Sequence, residues 1–370
     1  MPAAISARFL STLYGVFHMQ RENQMQFLRV LAFFNIFLLH AGHWNLFQYP
    51  AWFGAISAVS FFFMLSGFLT GFSFEEARLK TGIRACAAYM KRKVLRFHPL
   101  YALVTVYAIS FSPIPQIVAS GHFAELIDPV IQLARNLLCI QCWFPDGFFS
   151  YCGPAWFSAA LLFLTALNLP FLALIRRLRR TAHSRLLLCG LSVLFFAGTA
   201  LYCYLTRDTF LQFTHYILPL SRVGIYLGSM VLGILLRPVV LRAREQDGHA
   251  LLFTLLEAAS LVVWVVLLRF PGPAWMEWNV SWILPNLLVL AAFSFGKGGL
   301  SRLFSCRPLV SLGNVTMECY LVHKLIISSY SRYNQFDTTY TLGCLFSLAA
   351  CFALTFAVSF MLHARGSRRA

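Results

Sequence analysis

The sequence predicts an all-α protein, a polytopic transmembrane bundle of about ten helices with both termini in the cytoplasm. Three observations carry this. Of 370 residues, 59% are hydrophobic and only 12% charged, with a mean hydropathy of +0.69, whereas a water-soluble chain carries about a quarter charged residues. Apolar runs recur at about the twenty residues that a helix rising about 1.5 Å per residue needs to cross a bilayer core. The net charge of +17 is confined mostly to short segments between those runs, which fits loops that orient a membrane protein and argues against a nucleic-acid partner.

The apolar segments fall at roughly 26–46, 52–73, 95–115, 154–175, 186–206, 216–236, 250–268, 280–296, 309–329 and 340–363. The shortest is 280–296. Residues 1–25 read as a cytoplasmic or interfacial extension, because STLYGVF is too short for a signal-peptide core and no A-x-A site follows it. Residues 26–363 form the transmembrane domain and 364–370 a basic cytoplasmic tail. Most of the 30 lysines and arginines lie before residue 26, in 74–96, 176–185, 237–244 and 297–307, and after 363. With the N-terminus inside, all of these segments are cytoplasmic. Arg135, Arg207, Arg269, Lys324 and Arg332 fall in the opposite loops, and Arg29 and Arg222 inside helices.

Two connecting segments have character of their own. The outward loop 116–153 contains WFPDGFFSYCGPAW, a composition suited to packing against the membrane face or capping a cavity. Its Cys139, Cys142 and Cys152 could pair as a disulfide in an oxidising compartment, or serve, like the other cysteines, as small apolar filler. No metal site is expected. The cytoplasmic loop 74–94, ARLKTGIRACAAYMKRKVLR through Arg96, is basic enough to set topology and touch anionic lipid headgroups.

The candidate chemistry begins in FLRVLAFFNIFLLHAGHW, residues 27–44. Arg29 and His40 are eleven residues apart, and eleven steps of about 100° bring them back to one face, about 16 Å apart along the axis. Arg29, close to the cytoplasmic end, could simply snorkel to the interface. His40 has no such escape, and Asn35 and His43 share its helix. Ionisable groups inside a membrane are functional candidates: a histidine can take and return a proton near neutral pH, and an arginine offers a planar donor fork to phosphate or carboxylate. In SFFFMLSGFLTGF, residues 60–72, Ser66, Gly67 and Gly71 form a small patch with GxxxG spacing, which permits close helix approach. In KRKVLRFHPLY, residues 91–101, Lys93 and Arg96 share a face, with Tyr101 deeper. Such a cluster could hold a nucleotide-like donor's phosphates or lipid headgroups.

Taken together these runs resemble the acyltransferase-3 family of integral-membrane O-acyltransferases. FLRVLAFFNIFLLHAG is similar to its first-helix pattern of Arg, ten residues, then His, FFFMLSGFLTG to its FF-x-LSGFL run, and KVLRFHPLY to its R-x-x-R-I-x-P-x-Y run. Further on, PAWFSAALLFLTALNLP resembles the fourth-helix segment with its Trp, SLGNVTMECYLVH the late G-x-x-S/T-x-x-x-Y-L-x-H run, and SRVGIYLG, more loosely, an R…F…G segment. The chain departs from the pattern at Lys93, where the charge is kept and the bidentate fork lost, at Leu161, where many members have Glu, and at Glu318, where a small residue is common.

The resemblance implies transfer of an acyl group, usually acetyl from cytoplasmic acetyl-CoA, to a hydroxyl of a glycan or other acceptor on the outer side of a membrane, here expected to be a bacterial inner membrane. Acyl-CoA would be a donor substrate, with no bound cofactor. His40 would be catalytic, as a general base or as a transient acyl carrier, and Arg29 would orient the donor or stabilise developing negative charge. Arg92, Lys93 and Arg96 would hold the donor's phosphates, and Asn35, Ser66, Gly67, Tyr101, Trp156, Arg222 and His323 would line the pocket. The competing class is a transporter or flippase in which Arg29, His40, Arg222 and Glu257 form a pathway or proton relay. A membrane scaffold comes third, because it leaves the buried Arg and His without a reason.

Overall fold

The computed structural model describes residues 22–42, 48–333 and 341–367. It is all-helical, with no strand among the described residues. Among the described residues, seven helical stretches are long and apolar enough to cross a membrane by length and composition, one of them Ala155–Leu178 taken as a whole. In chain order the helices are α1 (Asn23–His40), α2 (Gln48–Phe72), α3 (Ile83–Tyr107), α4 (Ile114–Ser120), α5 (Ile127–Leu137), α6 (Ala155–Ala166), α7 (Asn168–Leu178) and α8 (Ser184–Leu205). There follow α9 (Pro219–Glu245), α10 (Ala250–Leu267), α11 (Ile283–Ser294), α12 (Gly299–Phe304), α13 (Arg307–Asn314), α14 (Thr316–Tyr333) and α15 (Thr341–Ser367). His43, most of the 1–25 extension and the end of the basic tail lie outside the described residues.

Each apolar segment of the sequence corresponds to helix, with boundaries that differ for physical reasons. The segment 154–175 is two helices, α6 and α7. Pro170 has no N–H to offer Ala166, and its ring crowds that carbonyl, so α6 stops there. The break exposes Asn168 as a bridge: its Nδ2 donates to Tyr89 Oη of α3 at 2.9 Å, and its Oδ1 accepts from Tyr226 Oη of α9 at 2.8 Å. The segment 309–329 is likewise divided, into α13 and α14. The expected loop 74–94 is a loop only as far as Gly82, whose φ of 100° suits a residue without Cβ. Beyond it α3 begins, so Arg84, Lys91, Arg92 and Lys93 are helical. Lys324 and Arg332, expected in an outward loop, lie within α14.

The core is organised by α2, which is enclosed by α1, α9 and α11. Gly67 and Gly71 let α2 approach the backbone of α9 at Tyr226 and Met230, and Gly233 of α9 meets Phe68 in return. This is the close approach that the GxxxG spacing permits, and it places Gly67 at a helix contact rather than at a pocket wall. On the other side α14 packs against α1 and α15.

The long connection between α3 and α6 is folded. Arg135 donates to Asp146 at 2.7 Å and lies 4.0 Å from the centre of the Phe144 ring. Buried Gln141 donates to Tyr101 Oη at 2.7 Å. Of the two readings open for them, the structure takes the unpaired one: Cys139, Cys142 and Cys152 are free and buried. Cys139 precedes and Cys142 lies within the short 3-10 turn that seats Gln141, and Cys152 Sγ faces Leu321 O of α14 at 3.6 Å. All three pack as small apolar groups, and burial pushes the Cys139 and Cys142 thiols up to about 11 and about 12, so they stay protonated.

Candidate active site

The cationic end of the site is built by α1 and α3. Arg29 is half-buried, and Nη1 donates to Gln26 Oε1, one turn earlier, at 3.1 Å. Arg96 is within electrostatic range of Arg29, as it is of Lys93, and Arg92 also acts on Lys93. Lys93 Nζ lies 5.3 Å from the centre of the Tyr89 ring. The two helices thus gather four cations, three of them exposed on α3.

Several acidic residues elsewhere in the fold pair with other cations. Glu75 pairs with Arg78 at 2.8 Å and Arg237 at 3.3 Å, Glu76 with Arg179 at 3.9 Å, and Glu22 with Arg244 at 2.5 Å. Among the described residues, no carboxylate pairs with Arg29, Arg92, Lys93 or Arg96. An unneutralised group of this kind attracts anions.

Eleven residues along α1 from Arg29, His40 occupies the last helical position, half-buried. Its ring centre is 5.1 Å from that of His323, with the planes at 44°. His323 is fully buried on α14, and its Nδ1 lies 2.8 Å from Tyr320 O and 3.2 Å from Cys319 O. Carbonyls only accept, so Nδ1 carries the hydrogen and Nε2 keeps a lone pair. That Nε2 is buried and has no partner among the described residues. Phe33 meets the His323 ring edge-on at 5.4 Å, with Phe37 and Tyr320 beyond. The arrangement is two imidazoles in contact, one with its tautomer fixed by the backbone, inside an aromatic enclosure.

The other sequence candidates have structural partners. Asn35 lies between Arg29 and His40 on α1 and donates to Leu31 O at 2.9 Å. Ser66 donates to Phe62 O at 2.7 Å. Tyr101 is fully buried under Gln141, and Trp156 packs between Phe63 and Tyr216. Arg222 is fully buried, with Nη2 donating to Tyr216 O at 2.7 Å and Trp278 O at 3.2 Å, and Nη1 to Ser60 Oγ at 3.3 Å. It ties the start of α9 and the middle of α2 to the segment before α11. Leu161 packs against the core, and Glu318 accepts from His363 of α15 at 2.7 Å.

Glu257 is fully buried on α10, where Oε1 accepts from Gly298 N at 3.1 Å and Oε2 from Ser301 N at 3.0 Å. It caps the start of α12 with its charge against the positive end of that helix. Glu257→Gln is expected to cost about 1.5–3 kcal/mol of stability, the contribution of one charged hydrogen bond, read as a lower thermal midpoint with activity per folded molecule unchanged. Loss of activity at an unchanged midpoint would instead make Glu257 a relay group.

A family model described as an acyltransferase domain matches residues 22–361, nearly the whole chain. The chain belongs to this acyltransferase-3 family. Neither the curated proteins nor the solved structures give a match. Family membership makes this a multi-pass membrane acyltransferase, in keeping with the seven candidate spans.

Proposed function

We propose that this acyltransferase-3 member takes an acyl group, acetyl from acetyl-CoA, at the cytoplasmic face of a bacterial inner membrane and passes it to a hydroxyl of a cell-surface or lipid-linked glycan. The supporting observation is that α1 alone connects the two halves of the site: Arg29 joins the unneutralised cations of α3, and His40, about 16 Å further on, contacts His323. The cationic end would face the cytoplasm, in line with the bias of basic residues.

In this reading Arg92, Lys93, Arg96 and Arg29 hold the phosphates of CoA, and the thioester arm runs along α1 to His40. His40 takes the proton of the acceptor hydroxyl, the oxygen attacks the thioester carbonyl carbon, and the carbon–sulfur bond breaks. The proton then passes to the CoA sulfur. His323, whose free Nε2 is a ready acceptor, orients His40 by taking a hydrogen bond from its other nitrogen, the role of the third member in nucleophile–base arrangements. The transporter reading loses two of its members, because Arg222 and Glu257 are engaged with backbone groups.

The test is acetyl-CoA binding to the nanodisc-embedded protein. Lys93→Ala combined with Arg96→Ala is expected to weaken binding at least about tenfold, equivalent to about 1.4 kcal/mol, without loss of insertion. Unchanged affinity would return these residues to topology and lipid contact.

A further inference from the structure

Beside the histidine pair stands a cation that the scheme above does not use. Lys324 follows His323 on α14 and is half-buried. It is within electrostatic range of His40, His323 and Cys152. Tyr320 and Leu321 lie one turn before it on the same side of the helix, and both are pinned to the segment leading into α6. Tyr320 Oη donates to Pro154 O at 3.0 Å, and Leu321 O faces Cys152 Sγ at 3.6 Å. Lys324 thus sits on α14 next to His323 and over the turn that is pinned to the folded α3–α6 connection.

Nothing neutralises it: among the described residues Lys324 has no ion pair and no hydrogen bond. The acid of its own helix, Glu318, is held by His363. A half-buried ammonium beside two imidazoles and without a counter-charge is placed to meet a negative charge that arrives or develops there.

We propose that Lys324 is a catalytic residue that holds the oxyanion formed on the thioester carbonyl oxygen during acyl transfer. This rests on the reading of His40 as the proton acceptor. As the acceptor oxygen bonds to the carbonyl carbon, its proton passes to His40 and the π pair moves onto the carbonyl oxygen, where an Nζ–H of Lys324 meets it. The pair then returns, the carbon–sulfur bond breaks, and His40 gives its proton to the sulfur. Lys324 stays protonated throughout. Fixed donors aimed at developing charge in a site screened from water are among the strongest sources of catalysis. The other source of charge for this ammonium is a permanent anion on the acceptor.

Water in place of the acceptor gives acetate and free CoA through the same oxyanion, so the test needs no knowledge of the acceptor. Nanodisc-embedded protein is mixed with acetyl-CoA, and CoA release is followed with a thiol reagent. Lys324→Met is expected to lower kcat for release by about 10²–10³-fold, with KM for acetyl-CoA changed less than about twofold. Lys324→Arg should recover part of the rate, because it restores a cationic donor. Release by Lys324→Met at the wild-type rate would overturn the assignment and leave the ammonium to an anionic acceptor. Wild-type protein that neither binds acetyl-CoA nor releases CoA would overturn the acyl-transfer reading with it. A matched thermal midpoint for Lys324→Met and Lys324→Gln shows that a lost rate is not a lost fold.

Discussion

Replacing His40 by Ala is expected to reduce transfer of labelled acetyl from acetyl-CoA to envelope glycan by at least about 10²–10⁴-fold, the range that a positioned acid–base group contributes. The fold should tolerate the change. His40 is half-buried at the last position of α1, and Ala41 after it keeps helical backbone and donates to Phe37 O at 2.8 Å. Affinity for acetyl-CoA should also hold, because the cations lie three turns away at Arg29 and on α3. His323→Ala removes only the group behind His40 and is expected to lower kcat less, with the donor KM unmoved. Full transfer by His40→Ala in a properly inserted protein would sink the catalytic assignment. Equal losses in the two variants would show that the imidazoles act as one unit.

How much of this was readable beforehand depends on what each signal measures. The bilayer demands about twenty apolar residues per helix, so hydropathy finds α2, α8 and α10 easily. It says nothing of where a helix continues into polar sequence. The start of α3 at Ile83 and the reach of α14 to Tyr333 were therefore missed, and the break before α7 was signalled only by Pro170.

The site divides in the same way. The 100° step placed Arg29 and His40 on one face from α1 alone, and motif resemblance placed His323 in the pocket. The contact between the two histidines is tertiary and has no local signature. Lys324 was misassigned because charge counting treats a cation near a segment end as a loop residue, whereas α14 carries it past the histidine. The free thiols of the α3–α6 connection teach the converse, since a C-x-x-C spacing is equally compatible with a turn that buries Gln141.

Gly71→Leu is expected to be the most damaging change outside the site. A Cβ at Gly71 would be driven into the carbonyl oxygen of Met230, and one at Gly67 into that of Tyr226, while Gly233 faces Phe68 O from the other helix. These neighbours are backbone, fixed in the hydrogen-bond ladders of α2 and α9, and cannot rotate aside as a side chain would. The helices must separate, at the upper end of the ~1–3 kcal/mol that overpacking costs. Lipid tails are as apolar as the helix surfaces, so no hydrophobic gain drives the pair back together. The displacement would also reach the site, because Phe62 and Phe63 of α2 contact Phe157, whose ring lies 4.9 Å from Tyr320 beside His323. Gly190→Leu is the matched control, since a Cβ there meets nothing within 4 Å. Thermal unfolding in detergent should show a midpoint several degrees lower for Gly71→Leu and little change for Gly190→Leu. Equal midpoints would mean that the α2–α9 contact is not the tight backbone seam described above.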